Sequence, residues 1–251
     1  MSDWDQLRKF TQARIGVGRK GYALPTHELL RLQLDHAQAR DAIHWPWKLD
    51  VFQKTLRREK IPQLVLATAV HDRAEYLLRP DLGRVLSVAS RKLLTKKFPK
   101  TKSQMDVVIA VSNGLSSSAV NVHAAKLVSS LWKGLKREGY RIAPVILAEN
   151  ARVAVSDEIG ALTRARLSII VLGERPGLSS VDSLAVYLTF APRVGNTDAQ
   201  RNCVSNIRPP DGLDYQSAVR KTLFLVREAI RRELSGVELK EETSEKLGHV
   251  R

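Results

Sequence analysis

The feature that most constrains the fold of this chain is a continuous apolar run, Asp106-Val-Val-Ile-Ala-Val-Ser112, which is rich in β-branched residues. A run of this length and composition is typical of a strand buried on both faces, as in a parallel sheet. Similar runs follow at 142–148, 167–172 and 187–191, and stretches with helical periodicity lie between them. Alternation of strands and helices predicts an α/β fold with a mostly parallel sheet and covering helices.

Helices between these strands are predicted from apolar spacing and from capping residues. One helix runs through 120–135 and ends before Gly139, since glycine is common just after a helix. Ser156 is predicted to cap the start of a second helix. A third helix is expected near 182–185, and a long last helix over 215–234.

The region before residue 106 is predicted to be helical. Thr26 is a plausible N-cap for a helix whose apolar stripe contains Leu30, Leu34 and Ala37. Further helices are expected at 72–78 and 82–94, and no stretch of this region repeats with strand periodicity for long. The basic segment 92–102, broken by Pro99, is interpreted as a linker or exposed turn.

The net charge also changes near residue 105, where the helical region gives way to alternating strands and helices. The 251 residues include 41 Lys and Arg against 26 Asp and Glu, a net charge of +15. Residues 1–105 hold 21 basic and 10 acidic side chains, a net +11, which leaves +4 for residues 106–251. We therefore predict a basic helical region over 1–105, followed by an α/β domain over 106–251. A charge of this size favours a polyanionic partner or an acidic protein surface.

Several classes of protein are excluded by what the sequence contains. A single cysteine, Cys203, excludes an intrachain disulfide framework and fits a reducing compartment. The histidines have no metal-ligand spacing, and Gly16–Gly21 matches G-x-G-x-x-G without the preceding strand that dinucleotide binding requires. No run is apolar enough to span a membrane, and the acidic start, Met1–Asp5, is unlike a signal peptide. These features predict an intracellular protein.

Two copies of Gly-Leu-Ser-Ser, at 114–117 and 177–180, each follow a predicted strand and precede a predicted helix. In an open α/β sheet, ligands bind beyond the carboxyl ends of the strands, where both copies would lie. Glycine turns and serine caps also explain these residues without any ligand. Both interpretations stand at this point.

Longer segments resemble a known family, the small (light) chain of ethanolamine ammonia-lyase. The resemblance covers most of the chain and is carried by Phe10–Arg19, Leu24–Asp41, Arg79–Arg84, Gly173–Leu184, Tyr187–Arg193 and Arg201–Pro209.

The resemblance implies a function in which this chain is one subunit of a hetero-oligomer. The family's enzyme uses adenosylcobalamin to convert ethanolamine into acetaldehyde and ammonia by a radical route. Its large chain is a TIM barrel that holds the substrate and the catalytic residues, and its small chain has a Rossmann-like domain. The cobalamin lies between the two chains, and its family contacts carry over onto Val153, Glu174 and Cys203. No catalytic residue is expected in this chain, and the basic region 1–105 is expected to dock on the large chain.

Two further expectations concern the cofactor's form and the protein's location. Cobalamin enzymes that displace the nucleotide base carry D-x-H-x-x-G, which this sequence lacks, so cobalamin is expected to bind base-on. Family members with a longer leader are associated with bacterial microcompartments. Here the family motif begins at Phe10, which favours the free cytoplasm over a microcompartment.

The alternative function is a basic nucleic-acid-binding module, although only 6% of residues are aromatic and no recognition motif is present.

Overall fold

The computed structural model describes residues 3–11, 13–101 and 103–240, and the described residues form six β-strands and nine α-helices. The strands are β1 (Gln63–Ala67), β2 (Met105–Ser112), β3 (Val145–Glu149), β4 (Ala165–Gly173), β5 (Leu184–Phe190) and β6 (Asn202–Ile207). The helices are α1 (Asp3–Leu7), α2 (Thr26–His44), α3 (Leu49–Arg58), α4 (Arg73–Leu78), α5 (Val88–Lys97), α6 (Ser117–Ala119), α7 (Ala125–Arg137), α8 (Val155–Thr163) and α9 (Tyr215–Arg232). A π-helical turn, Val120–Ala124, joins α6 to α7.

All six strands belong to one sheet in the order β1-β3-β2-β4-β5-β6. The strands β1, β3, β2 and β4 are parallel to one another, whereas β5 is antiparallel to β4 and β6 is antiparallel to β5. From β2 the chain passes to β3 on one side, and then to β4 on the other side of β2. This reversal is the topological switch of Rossmann-like sheets, which opens a crevice at the carboxyl ends of the two central strands.

Apolar side chains cover both faces of the sheet because successive residues of a buried strand point in opposite directions. Val107, Ile109 and Val111 of β2 pack with α3, α7 and α9, and all three are fully buried. Val108 and Ala110 face the other way, into a second core formed with α5 and α8. The predicted α/β class, with a mostly parallel sheet and a helical region before it, is confirmed.

The predicted helix near 182–185 is wrong, because these residues lead into β5. Leu184 pairs with Gly173 at the end of β4, so the chain turns back directly into an antiparallel strand. An antiparallel neighbour needs no crossover helix, and the β-strand pattern of 184–190 therefore prevails. β6 was not predicted from the sequence. Its mixed polarity is typical of the edge position that it occupies.

Strand β1 corrects the prediction that the region before residue 106 has no strand. Gln63–Ala67 pairs in parallel with β3 as the opposite edge of the sheet, so this region contributes to the α/β core. The continuous helix expected at 82–94 is also wrong: Val85 is extended, and the Ser87 side chain caps the separate helix α5. Most of the supposed linker 92–102 belongs to α5, while Lys102 and the C-terminal residues 241–251 lie outside the described residues.

Two predicted helix caps differ from the structure. The N-cap position of helix α2 is Pro25, and Thr26 is the first helical residue. No side chain caps this helix end by a hydrogen bond. Helix α8 begins at Val155, and the Ser156 hydroxyl donates to the Val153 carbonyl instead of accepting a backbone N–H. Ser156 lies one residue inside the helix, where a serine hydroxyl can donate to a preceding backbone carbonyl instead of capping the helix.

Helix α2 is largely uncovered in this chain. Only Ala39 and Ala42 are buried along it, whereas Leu30 and Leu34 of the predicted apolar stripe are 59% and 58% exposed. The predicted helix is confirmed, but its apolar side chains do not pack on the sheet. No described helix is both long enough and apolar enough to cross a membrane.

Candidate functional site

A cavity of about 260 Å³ opens at the carboxyl ends of β2, β3 and β4, where the topology of the sheet predicts a ligand site. It is lined by Tyr76, Gly114, Leu115, Ala151, Arg152, Val153, Leu172, Gly173, Glu174, Arg175 and Tyr187. Residues that follow three different strands therefore meet at one edge of the sheet.

Two glycines allow the loops after β2 and β4 to touch through their backbones. Gly114 has a φ of +53°, and a Cβ on it would lie 2.4 Å from the Gly173 carbonyl oxygen. A Cβ on Gly173 would lie 2.0 Å from the Ser116 carbonyl oxygen. Leu115 N–H donates to the Gly173 carbonyl oxygen at 3.0 Å, which ties the two loops together. This contact leaves no room for a side chain at either glycine.

The first Gly-Leu-Ser-Ser segment does cap a helix, as predicted. Ser116 Oγ accepts from the Ala119 N–H at the start of α6 and donates to the Val181 carbonyl oxygen at 2.8 Å. The second copy, 177–180, is a loop that closes on itself through backbone hydrogen bonds between Gly177 and Ser180. Because no helix follows it, the second copy is not a helix N-terminus for a ligand.

Buried amides fix the ends of β2 and β3 relative to each other. Asn113 Oδ1 accepts from the Asn150 N–H at 2.7 Å, and the Ser112 hydroxyl accepts from the Ala151 N–H at 3.0 Å. Arg73 Nη1 donates to the Gly114 carbonyl oxygen at 2.6 Å. These bonds satisfy loop backbone groups that would otherwise be buried without partners.

Glu174 follows β4 directly and is held by two donors on its Oε2 atom. The Ser183 hydroxyl donates at 2.7 Å and the Asn206 N–H at 3.1 Å. The Glu174 N–H also donates to the Ser183 carbonyl oxygen at 3.0 Å. The side chain is half-buried in the cavity wall. It is therefore a fixed acceptor for N–H or O–H groups of a ligand.

Cys203 stands beside the cavity through its pairing with Tyr187 across β5 and β6. Part of Cys203 remains exposed, yet the surrounding protein still removes water from the thiol. This desolvation raises the pKa of Cys203 to about 11, and a hydrogen bond with Tyr187 offsets the effect only in part. Desolvation likewise raises the pKa of Tyr187. The thiol is accordingly protonated near neutral pH and is not a nucleophile.

The structure brings the three predicted contact residues to one place. Val153 and Glu174 line the cavity, and Cys203 neighbours its wall through Tyr187. Sequence reasoning missed Tyr76 and Arg152, which line the same cavity. Both lie inside stretches without a catalytic motif, and only the fold brings α4 beside the end of β3.

Comparison with known proteins identifies the family. The family model of the ethanolamine ammonia-lyase light chain (EutC) matches residues 1–240. The chain belongs to this family. It is 52% identical over 239 residues to the ethanolamine ammonia-lyase small subunit of Azotobacter vinelandii, covering 95% of this chain and 88% of that protein. The small subunits of Ralstonia nicotianae and Pseudomonas paraeruginosa are 49% and 50% identical, over 95% of this chain and 88% and 87% of theirs.

The raised pKa of Cys203 predicts slow alkylation of this light-chain thiol. At about pH 8 the folded chain should react with iodoacetamide roughly 100-fold more slowly than the unfolded chain, whose thiol pKa is near 8.5. The folded rate should rise as the pH approaches 11. Mass spectrometry of the single cysteine measures both rates. Equal rates in the folded and unfolded chain would contradict the prediction.

Proposed function

We propose that this chain is the small subunit of an adenosylcobalamin-dependent ethanolamine ammonia-lyase, which converts ethanolamine into acetaldehyde and ammonia. The proposal is carried by the cavity at the carboxyl edge of the sheet, where Val153 and Glu174 meet beside Cys203. It is supported by relatives that are named small subunits of this enzyme. Those names favour the lyase over the alternative of a nucleic-acid-binding module.

The residues of the cavity fit part of a cobalamin. The cofactor's edge presents amide side chains and a ribose, whose N–H and O–H groups suit the fixed acceptor Glu174. Tyr187 and Val153 offer apolar surface beside it, and Cys203 is a small polarizable neighbour. A cavity of about 260 Å³ is far smaller than a cobalamin. The rest of the cofactor would therefore lie against the partner subunit. The base-on form is proposed because the sequence lacks D-x-H-x-x-G.

In this proposal the small subunit binds and orients rather than reacts. When bound, adenosylcobalamin supplies the organic radical that begins the reaction. Glu174 would accept hydrogen bonds from the cofactor's edge, while its own bonds from Ser183 and Asn206 keep the carboxylate in one position. A protonated Cys203 adds no competing nucleophile. Substrate binding and catalytic residues are assigned to the large TIM-barrel chain.

The basic helical region is the proposed docking element for that large chain. Helix α2 exposes Leu29, Leu30 and Leu34, so its apolar side chains have no cover within the described part of this chain. The net +11 of residues 1–105 indicates an acidic docking surface on the large chain. The proposed location is the cytoplasm, and the division of the chain at residue 105 remains a proposal.

Replacement of Glu174 tests the proposed cofactor contact. In the complex co-expressed with its large chain, Glu174→Ala should weaken cobalamin binding by about tenfold or more, since a charge-assisted hydrogen bond contributes roughly 1.5–3 kcal/mol. Equilibrium dialysis, with cobalamin measured by its absorbance, gives the dissociation constant. The matched control is Glu233→Ala, an exposed carboxylate after α9 and outside the cavity. Unchanged affinity in Glu174→Ala would leave the chain as a scaffold without cofactor contact.

A further inference from the structure

Tyr76 lies between two guanidinium groups at the back of the cavity. The ring is fully buried, and its hydroxyl donates to the Ala151 carbonyl oxygen at 3.1 Å. The Arg152 guanidinium carbon lies 4.4 Å from the ring centroid, and that of Arg73 lies 4.9 Å from it. Stacking on an aromatic face holds a guanidinium in place without neutralising its charge.

Neither arginine has a carboxylate partner in the described part of the chain. No described Asp or Glu oxygen lies within 4.0 Å of Arg73 or Arg152. Arg73 donates only to uncharged groups: the carbonyl oxygens of Ile43 and Gly114, and Oδ1 of Asn150. Two like charges thus share one buried ring, and no described carboxylate pairs with either of them.

Each of these two arginines has one buried donor atom that is not satisfied by the described residues. Arg152 Nε and Arg73 Nη2 have no hydrogen-bond partner among them. Burial lowers the pKa of Arg73, and Glu149 opposes this only from beyond ion-pair distance. Partly buried charges in proteins are normally paired, because an unpaired charge away from water is costly. The arrangement therefore favours an anionic ligand.

The cavity wall supplies a third cation. Arg175 lines the cavity next to Glu174, is exposed, and has no ion pair or hydrogen bond to another described side chain. Arg152 lines the same cavity from the end of β3. Guanidinium groups bind phosphate and carboxylate oxygens through paired, directional N–H donors, so an oxyanion such as phosphate suits them.

We propose that Arg152 and Arg175 form an anion subsite for a phosphate group, with the Tyr76 ring holding Arg152 in place and Arg73 adding positive charge behind it. This rests on the proposed function, because in base-on cobalamin the nucleotide loop carries a phosphodiester whereas the other peripheral groups end in neutral amides. Glu174 would then accept from the amides and ribose while Arg152 receives the phosphodiester. The acidic wall of the cavity thus suits the hydrogen-bond donors of cobalamin, and the basic wall suits its phosphodiester.

Cobinamide, which lacks the nucleotide loop and its phosphate, separates this subsite from the rest of the cofactor site. In the complex with the large chain, Arg152→Met should weaken hydroxocobalamin binding by about tenfold or more and leave diaquocobinamide binding within about twofold. Arg152→Lys keeps a point charge that can bind phosphate and should retain part of the affinity for cobalamin. Arg141→Met removes an exposed arginine outside the cavity and should change neither affinity. Equilibrium dialysis measures all four proteins.

The outcomes distinguish the subsite from the proposed function. Equal losses of cobalamin and cobinamide binding in Arg152→Met, or no loss of either, would overturn the subsite while leaving the cofactor assignment intact. If the unmodified complex binds neither corrinoid, the proposed function fails. Binding of inorganic phosphate then tests whether the arginines form an anion site at all. A thermal stabilisation by phosphate at constant ionic strength that Arg152→Met abolishes would support a site for free phosphate, and no such stabilisation would overturn it.

Discussion

Replacing Gly173 with alanine is expected to destroy the cavity and to destabilise the fold by about 3 kcal/mol or more. The added Cβ would meet the Ser116 carbonyl oxygen at 2.0 Å and the Asn113 carbonyl oxygen at 2.7 Å. Both neighbours are backbone atoms, so no side-chain rotation can relieve the contact. The loops after β2 and β4 would have to separate, which breaks the hydrogen bond from Leu115 to Gly173. Urea unfolding measures the loss of stability, and corrinoid dialysis measures the loss of the cavity.

Gly177 provides the matched control for this substitution. It lies four residues further along the same loop, and its nearest neighbours to an added Cβ are atoms of Ser180 at 3.6 Å or more. That distance is ordinary van der Waals contact, so Gly177→Ala should change stability by about 0.5 kcal/mol or less. If Gly173→Ala unfolds at the same urea concentration as Gly177→Ala, the close backbone contact does not control stability.

The sheet was predictable where burial on two faces leaves a strong pattern. β2 and β4 are continuous apolar runs, because each is covered by helices on both sides. β6 is an edge strand whose buried and exposed residues do not alternate regularly, so its sequence carries no clear strand pattern. The predicted helix near 182–185 is wrong for a different reason: these residues enter a strand that pairs with β4, and a local sequence pattern does not reveal that partner.

The sequence predicts only those residues of the candidate site that directly follow a predicted strand. Glu174 follows β4, and the general rule for ligands in open α/β sheets places it at the site without further information. Tyr76 is 75 residues distant in sequence from Ala151, to which its hydroxyl donates. No local pattern records a contact of that separation. The stacked arginines, and with them the anion subsite, therefore depend on the tertiary structure.

Removing Asp157 is expected to cost about 3 kcal/mol of folding free energy, because the buried Arg201 guanidinium would keep, among the described residues, only its longer contact with the fully exposed carboxylate of Asp198. The Asp157 and Arg201 side chains are 2% and 3% exposed. Arg201 donates to both carboxylate oxygens of Asp157, each at 2.7 Å. It also donates to the hydroxyl of Thr189 and the carbonyl oxygen of Asn196, and its Nε donates to the exposed Asp198 carboxylate at 3.3 Å. The pair thus joins α8 to the segment that enters β6. Urea unfolding of Asp157→Ala measures the cost.

Two further variants show whether the cost comes from the Arg201 charge that loses its buried partner. The double variant Asp157→Leu with Arg201→Met removes both charges and keeps apolar volume, so it should recover much of the stability lost in Asp157→Ala. The exposed pair of Arg79 and Asp81 has a similar contact of 2.7 Å but is 59% exposed on both sides, so Asp81→Ala should shift the urea midpoint far less than Asp157→Ala. Equal costs for Asp81→Ala and Asp157→Ala would mean that burial does not set the contribution of the pair. A double variant as unstable as Asp157→Ala would instead assign the loss to the hydrogen bonds that Arg201 makes to Thr189 and Asn196.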